Sequence, residues 1–194
     1  MNLLKRYFKY NIWKIHRTNR KFRKKHYSIK DIYIFFDLDN TIYLFSEWGK
    51  DKEAVEESMK EGYYYKLPIF PGAAAFMKFL LSICNNVYIL SKYPRTGADI
   101  EKIKSIERDM PFFPKDHIIL IPLHVDKGEV INSICDTSRA IIIDDYYENI
   151  IDAYNHGIIG IKKTFSEKKR PVHQIHEFYE LLFVLKKLNI EMKI

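Results

Sequence analysis

The chain has 194 residues, 47% of them hydrophobic, which is enough for one domain with a packed core and too apolar for a disordered chain. Its only two cysteines, Cys84 and Cys135, do not indicate a disulfide framework, and a reducing compartment is the simpler reading. No apolar run reaches the ~20 residues that span a bilayer, and no secretory h-region follows Met1. The formal net charge of +7 is unevenly spread: residues 1–30 hold eleven Lys or Arg and no Asp or Glu, so the remainder is acidic on balance.

In residues 1–29, Leu3, Leu4, Tyr7, Phe8, Ile12 and Ile15 fall near helical spacing, with Trp13 and Phe22 adding aromatic surface. A basic amphipathic helix suits an anionic membrane surface or the phosphates of a nucleic acid. The lack of acids also fits an organellar transit peptide. A helix packed on the slightly acidic remainder accounts for the same pattern. From residue 30 onward one domain is expected. Residues 32–36 are apolar throughout, as in a strand buried on both faces. Residues 42–68 read as an insertion, with charged helical character over 50–61 and then Tyr63-Tyr64-Tyr65. Pro71-Gly72 opens a helix over 73–83. A second strand at 87–90 ends at Ser91, and a charged helix over 99–108 follows. Next come a strand at 118–121, a short helix at 127–134 and a strand at 140–143 that ends in Asp144-Asp145. A helix at 147–155 and a strand at 158–161 complete the alternation. Ile175, Phe178, Leu181, Leu182 and Leu185 lie on one stripe of a surface helix over 173–188. Strands alternating with helices predict an α/β fold: a parallel five-stranded sheet in a three-layer α/β/α sandwich.

Chemistry concentrates where these strands end. Asp37 and Asp39 follow the first strand at i, i+2, and Thr41 comes two residues later. In an open parallel sheet ligands bind at the carboxyl ends of the strands. Two acids placed together there repel unless a cation or a shared proton relieves them, which makes Asp37 and Asp39 a candidate metal and nucleophile site. Ser91, Lys127 and Asp144-Asp145 occupy comparable positions, although Lys115 competes with Lys127. Each feature has a plainer reading as well. The paired acids serve as turn or helix caps, and a serine closing a strand is ordinary turn chemistry. His117, His124 and His156 lack the spacing of a zinc site.

The set Asp37-x-Asp39-x-Thr41, Ser91, Lys127 and Asp144-Asp145, in this order and in these strand contexts, resembles the four motifs of the haloacid dehalogenase-like phosphatases over residues 31–165. The resemblance implies the Rossmann-like fold of that superfamily with a small cap inserted after the first strand. It implies a phosphomonoesterase in which Asp37 forms an aspartyl-phosphate and Asp39 protonates the leaving oxygen and later deprotonates water. Mg²⁺ would be held by the Asp37 carboxylate, the Asp39 backbone carbonyl and Asp144, with Asp145 acting through a metal-bound water. Ser91 and Lys127 would bind the phosphoryl oxygens, with Thr41 positioning the loop and Lys92 reaching the phosphate.

Within the superfamily the chain is most similar to the cytosolic type C deoxyribonucleotidases. The likeness lies in Asp37 to Phe45, in Phe70-Pro71-Gly72-Ala73, in the strand ending at Ser91 near Pro94, in Asp126-Lys127 and in Ile142-Ile143-Asp144-Asp145. It implies that Phe45 stacks on a nucleobase, with Trp48 and the three tyrosines completing the pocket; these aromatics also suit a small cap core. The chain departs from that family in having Asn40-Thr41 where Gly-Val is usual, and in a longer interval between Lys127 and Asp144. The implied substrate is a small phosphomonoester, a nucleotide, and the implied location is the cytoplasm, with peripheral membrane contact through residues 1–29. A phosphatase of nucleic-acid ends guided by the basic segment, and a non-catalytic tethered scaffold, are the competing expectations.

Overall fold

The computed structural model describes residues 28–29, 31–45, 52–164, 171–188 and 192–193. Its framework is a parallel sheet of six strands: β2 (Tyr33–Phe36), β3 (Val87–Tyr93), β4 (Ile118–Pro122), β5 (Ala140–Asp144), β6 (Ile159–Lys163) and β7 (His173–Ile175), in the order β4-β3-β2-β5-β6-β7. A separate two-residue pairing joins β1 (Ser28–Ile29) to β8 (Met192–Lys193) in antiparallel fashion. The helices are α1 (Lys52–Ser58), α2 (Tyr63–Lys66), α3 (Ala73–Leu81), α4 (Ala98–Asp109), α5 (Lys127–Ile134), α6 (Tyr147–Asn155) and α7 (Glu180–Lys187).

The apolar strand runs place side chains alternately on the two faces of the sheet. Ile34, Phe36, Ile89, Ile141 and Ile143 point to one face, where Phe76, Met77 and Leu80 of α3, Ile106 of α4 and Leu181, Leu182 and Leu185 of α7 cover them. Phe35, Leu90, Ala140 and Ile142 point to the other, under Ile131 of α5 and Ala153 of α6. Both faces are therefore dry, and the three-layer sandwich follows from the sequence alternation.

The sheet has six strands where five were expected. The sixth comes from 173–188, which splits into strand β7 and helix α7. His173, Gln174 and Ile175 pair in parallel with Ile161, Lys162 and Lys163. Ile175 shares one core with Phe178, Leu181, Leu182 and Leu185, so its burial matched a helical stripe although its backbone is extended. Glu180 closes the junction by accepting from the backbone N–H groups of His176 (2.7 Å) and Glu177 (3.3 Å).

The insertion after β2 contains α1 and α2 and docks on α4 through the backbone. Glu101 accepts from the N–H groups of Gly62 (2.8 Å) and Tyr64 (3.2 Å), and the Ser105 hydroxyl donates to the Tyr64 carbonyl (2.8 Å). Arg108 donates to the carbonyls of Tyr65 and Leu67. The buried face of α4 is thus largely polar, while Ile100 and Ile103 point outward, 54% and 38% exposed. No helix among the described residues is long and apolar enough to cross a membrane.

Candidate active site

From β2 the chain crosses toward β3 and β4, and from β5 toward β6 and β7, although β2 and β5 are neighbours. Connections leaving two adjacent strands in opposite directions open a crevice at their carboxyl ends. Phe36 pairs with Ile143, and the Asp37 N–H donates to the Ile143 carbonyl (2.9 Å). This register sets Asp37 beside Asp144 at the mouth of the crevice.

Lys127, the first residue of α5, reaches between them. Its Nζ donates to Asp37 Oδ1 and Asp144 Oδ2, both at 2.6 Å, and the lysine is 1% exposed. The start of α5 is fixed by the Gly128 N–H, which donates to Asp152 of α6 (2.9 Å). Burial works against the ammonium, but Asp144 and then Asp37 more than offset it, and the lysine pKa ends above its usual value. Asp144 also accepts from the Tyr146 N–H (2.8 Å) and Asn149 Nδ2 (2.9 Å). Burial raises its pKa and Lys127 opposes the rise. Asp144 therefore closes a turn ahead of α6 with Oδ1, without capping the helix, and its second oxygen belongs to the site. Lys115, the competing lysine, pairs instead with Glu107 on the surface.

Asp37, Asp144 and Asp145 place carboxylate oxygens within 4.8 Å of one another. Asp145 is held well above its ordinary pKa, by burial first and then by the charges of Asp144 and Asp37. Three crowded acids, two of them on the Lys127 ammonium, form an oxygen donor set that fits a hard divalent cation. The side chain of Asp39 is not in this set.

Asp39 sits one turn further on. Asn40 has φ 52, a left-handed conformation that Asn and Gly tolerate. The N–H groups of Thr41, Ile42 and Tyr43 converge on the Leu38 carbonyl, and Asn40 Oδ1 accepts from the Phe45 N–H (3.1 Å). This tight loop turns Asp39 away from Lys127 and toward a second lysine, Lys102 of α4. Lys102 Nζ donates to Asp39 Oδ2 (2.8 Å), Ser91 Oγ (3.0 Å) and the Lys92 carbonyl (2.7 Å). Burial raises the pKa of Asp39; the Lys102 charge opposes this and the Asp37 charge adds to it, while 27% exposure of the side chain lets solvent moderate the result.

The structure thus brings Asp37, Asp39, Ser91, Lys127, Asp144 and Asp145 to one sheet edge. Ser91 lies within β3 rather than at its end, because the strand continues to Tyr93. Lys92, the next strand residue, contributes its carbonyl, and no polar contact among the described residues ties its side chain to the site. Thr41 is fully buried with Oγ1 unpartnered. Phe45 packs at ring-centroid distances of 5.5 Å from Tyr63 and 6.2 Å from Tyr64, as a cap core requires. Trp48 and residues 1–27 lie outside the described residues. Sequence reasoning missed Lys102 and Asn149. Asn149 had a readable signal, an amide five residues after Asp144 on the first turn of the following helix.

No family model matches the sequence, and no curated protein does. Solved structures do match. A predicted phosphatase from Clostridium acetobutylicum aligns with a TM-score of 0.59 at 15% identity, covering 80% of this chain and 98% of that one. A HAD family hydrolase from Deinococcus radiodurans, solved with bound phosphate and sodium, aligns at 0.57 and 12% identity, covering 81% and 96%. The D,D-heptose 1,7-bisphosphate phosphatase from Burkholderia thailandensis aligns at 0.53 and 10% identity, covering 81% and 98%. The chain has the fold of the haloacid dehalogenase-like hydrolases. At these identities the likeness establishes the fold.

Proposed function

We propose that this protein is a Mg²⁺-dependent phosphomonoesterase working through an aspartyl-phosphate on Asp37, with nucleoside monophosphates as substrates. The observation that carries this reading is the pairing of each aspartate with its own lysine, Asp37 with Lys127 and Asp39 with Lys102. One acid belongs to a metal-fitting cluster, and the other stands apart from it.

Asp37 attacks the phosphorus as the ester P–O bond breaks, and Asp39 Oδ1 gives its proton to the leaving oxygen. Asp39, now a carboxylate, takes a proton from water. The water oxygen bonds to phosphorus as the bond to Asp37 breaks, which returns the free carboxylate and releases phosphate. Lys127 shields Asp37 from the incoming dianion, and Ser91 donates to a phosphoryl oxygen. Asp37, Asp144, Asp145 and the Asp39 carbonyl would hold Mg²⁺, which when bound supplies charge neutralisation on the phosphoryl group. The half-buried rings of Phe45 and Tyr63, packed beside Tyr64, which itself covers Lys102, support a nucleotide substrate. Stacking on such rings contributes about 1–3 kcal/mol per base. A cytoplasmic setting fits both the substrate and the two free cysteines.

The test is phosphate release from nucleoside monophosphates, sugar phosphates and 3′- or 5′-phosphorylated oligonucleotides, with Mg²⁺ and with chelator. Mononucleotide hydrolysis that chelator abolishes is expected; no hydrolysis of any ester rejects the proposal. The basic segment favours a second reading, a phosphatase of nucleic-acid ends or one held at an anionic membrane. Removal of residues 1–27, which spares the β1–β8 pairing, is expected to leave mononucleotide turnover unchanged and only weakly salt-dependent. A loss confined to oligonucleotides with a steep salt slope would favour nucleic acid.

A further inference from the structure

Lys102 has none of the usual marks of an active-site residue in the sequence. It lies mid-helix in a run of charges, yet it is 2% exposed. An ammonium has three donors, and all three are committed, to Asp39 Oδ2, Ser91 Oγ and the Lys92 carbonyl. The face of Tyr64 closes over it. An ammonium this buried costs several kcal/mol unless its partners are well placed. Lys127 differs: among the described residues it donates twice, which leaves one N–H for a phosphoryl oxygen. Lys102 has no donor to spare for substrate, and its effect falls on the groups it holds. It occupies one oxygen of Asp39, and the other, Oδ1, is buried without a hydrogen-bond partner. The neighbouring residue of α4, Glu101, grips the backbone of the insertion at Gly62 and Tyr64, with Arg95 beside it (2.8 Å).

We propose that Lys102 is a positioning residue: it occupies Asp39 Oδ2 so that Oδ1 alone carries the proton to the leaving oxygen, and it holds the Ser91 hydroxyl in the same frame. Because α4 supplies both Lys102 and the dock for the insertion, that frame is built against the cap. This inference rests on the phosphomonoesterase reading and adds to it the residue that aims the acid.

A poor leaving group depends on protonation, whereas a good one departs without it. The experiment therefore compares kcat/KM for phenyl phosphate and 2,4-dinitrophenyl phosphate in wild type and Lys102→Met, with circular dichroism to confirm folding. The variant is expected to lose about tenfold or more on phenyl phosphate beyond its loss on the dinitrophenyl ester. Lys102→Arg keeps a cation against Asp39 and serves if the neutral variant does not fold. Its selective loss is expected in the same direction and smaller, because a planar fork does not reproduce three converging donations. Equal losses on both esters in every folded variant would overturn the positioning role while leaving the phosphatase reading intact. A wild-type protein that cleaves neither ester would overturn both.

Discussion

Lys163 is the third buried lysine among the described residues, 3% exposed at the end of β6, and it has a different environment from the two in the site. Its Nζ donates to the His176 carbonyl (2.6 Å) and lies 5.4 Å and 5.8 Å from the ring centroids of Phe70 and Phe178. Burial pulls its pKa down to about 8 from an ordinary 10.5, against the opposing charges of Glu177, Glu180 and Asp145. Between these two values the unfolded chain binds more protons than the folded one. Stability therefore rises with pH through this window, and the penalty is fully present below about pH 8. The total rise attributable to Lys163 is on the order of 3 kcal/mol. Denaturant titration of wild type and Lys163→Met at pH 7.5 and pH 10 checks this: the difference between the two proteins is expected to favour the variant at pH 7.5 and to shrink at pH 10. A difference independent of pH would show that Lys163 stays charged.

At the scale of elements, the site depends on how closely α6 lies on the sheet, since α6 carries Asn149 and anchors the start of α5 through Asp152. Gly160 on β6 permits that approach. A Cβ there would meet Ile150 Cγ2 at 2.7 Å and the Ile150 carbonyl oxygen at 3.2 Å, so Gly160→Ala is expected to destabilise by about 1–3 kcal/mol. At Gly128 the three atoms nearest an added Cβ all belong to the His156 ring, whose side chain is 30% exposed and can swing outward, so a smaller loss is expected for Gly128→Ala. Thermal unfolding of the two variants side by side checks the order; equal losses would contradict it. The elements also mark what the sequence could not reveal. In α4 the usual orientation is inverted, with Glu101, Lys102 and Ser105 inside and Ile100 and Ile103 outside. Hydrophobic periodicity cannot locate a buried lysine whose partners, Asp39 and Ser91, lie 63 and 11 residues away. The same periodicity merged β7 and α7, because Ile175 is buried in the same core as the helix that follows.

At the scale of the whole molecule, much more was legible. Buried parallel strands appear as unbroken apolar runs, and the polar residues that interrupt them stand out, so Asp37 and Asp144 at strand ends and Ser91 inside β3 were legible along with the layer architecture. The strand order, with β2 and β5 side by side and diverging connections, is what turns separate motifs into one crevice, and it rests on pairings between strands more than a hundred residues apart. Residues 1–27 hold ten of the 32 Lys and Arg and no Asp or Glu, so the net positive charge of the chain comes from them, whereas the crevice residues described above lie between 37 and 145. The account stands on Asp37 as the atom-bonding residue of that crevice. The most direct measurement is to quench the protein during turnover of a nucleoside monophosphate with Mg²⁺, reduce it with borohydride and map the modified peptide by mass spectrometry. The account predicts reduction of the Asp37 carboxyl to an alcohol in wild type, dependent on substrate, and neither modification nor turnover in a folded Asp37→Asn variant. Undiminished hydrolysis by Asp37→Asn, or a trapped acyl-phosphate at another residue, would contradict it.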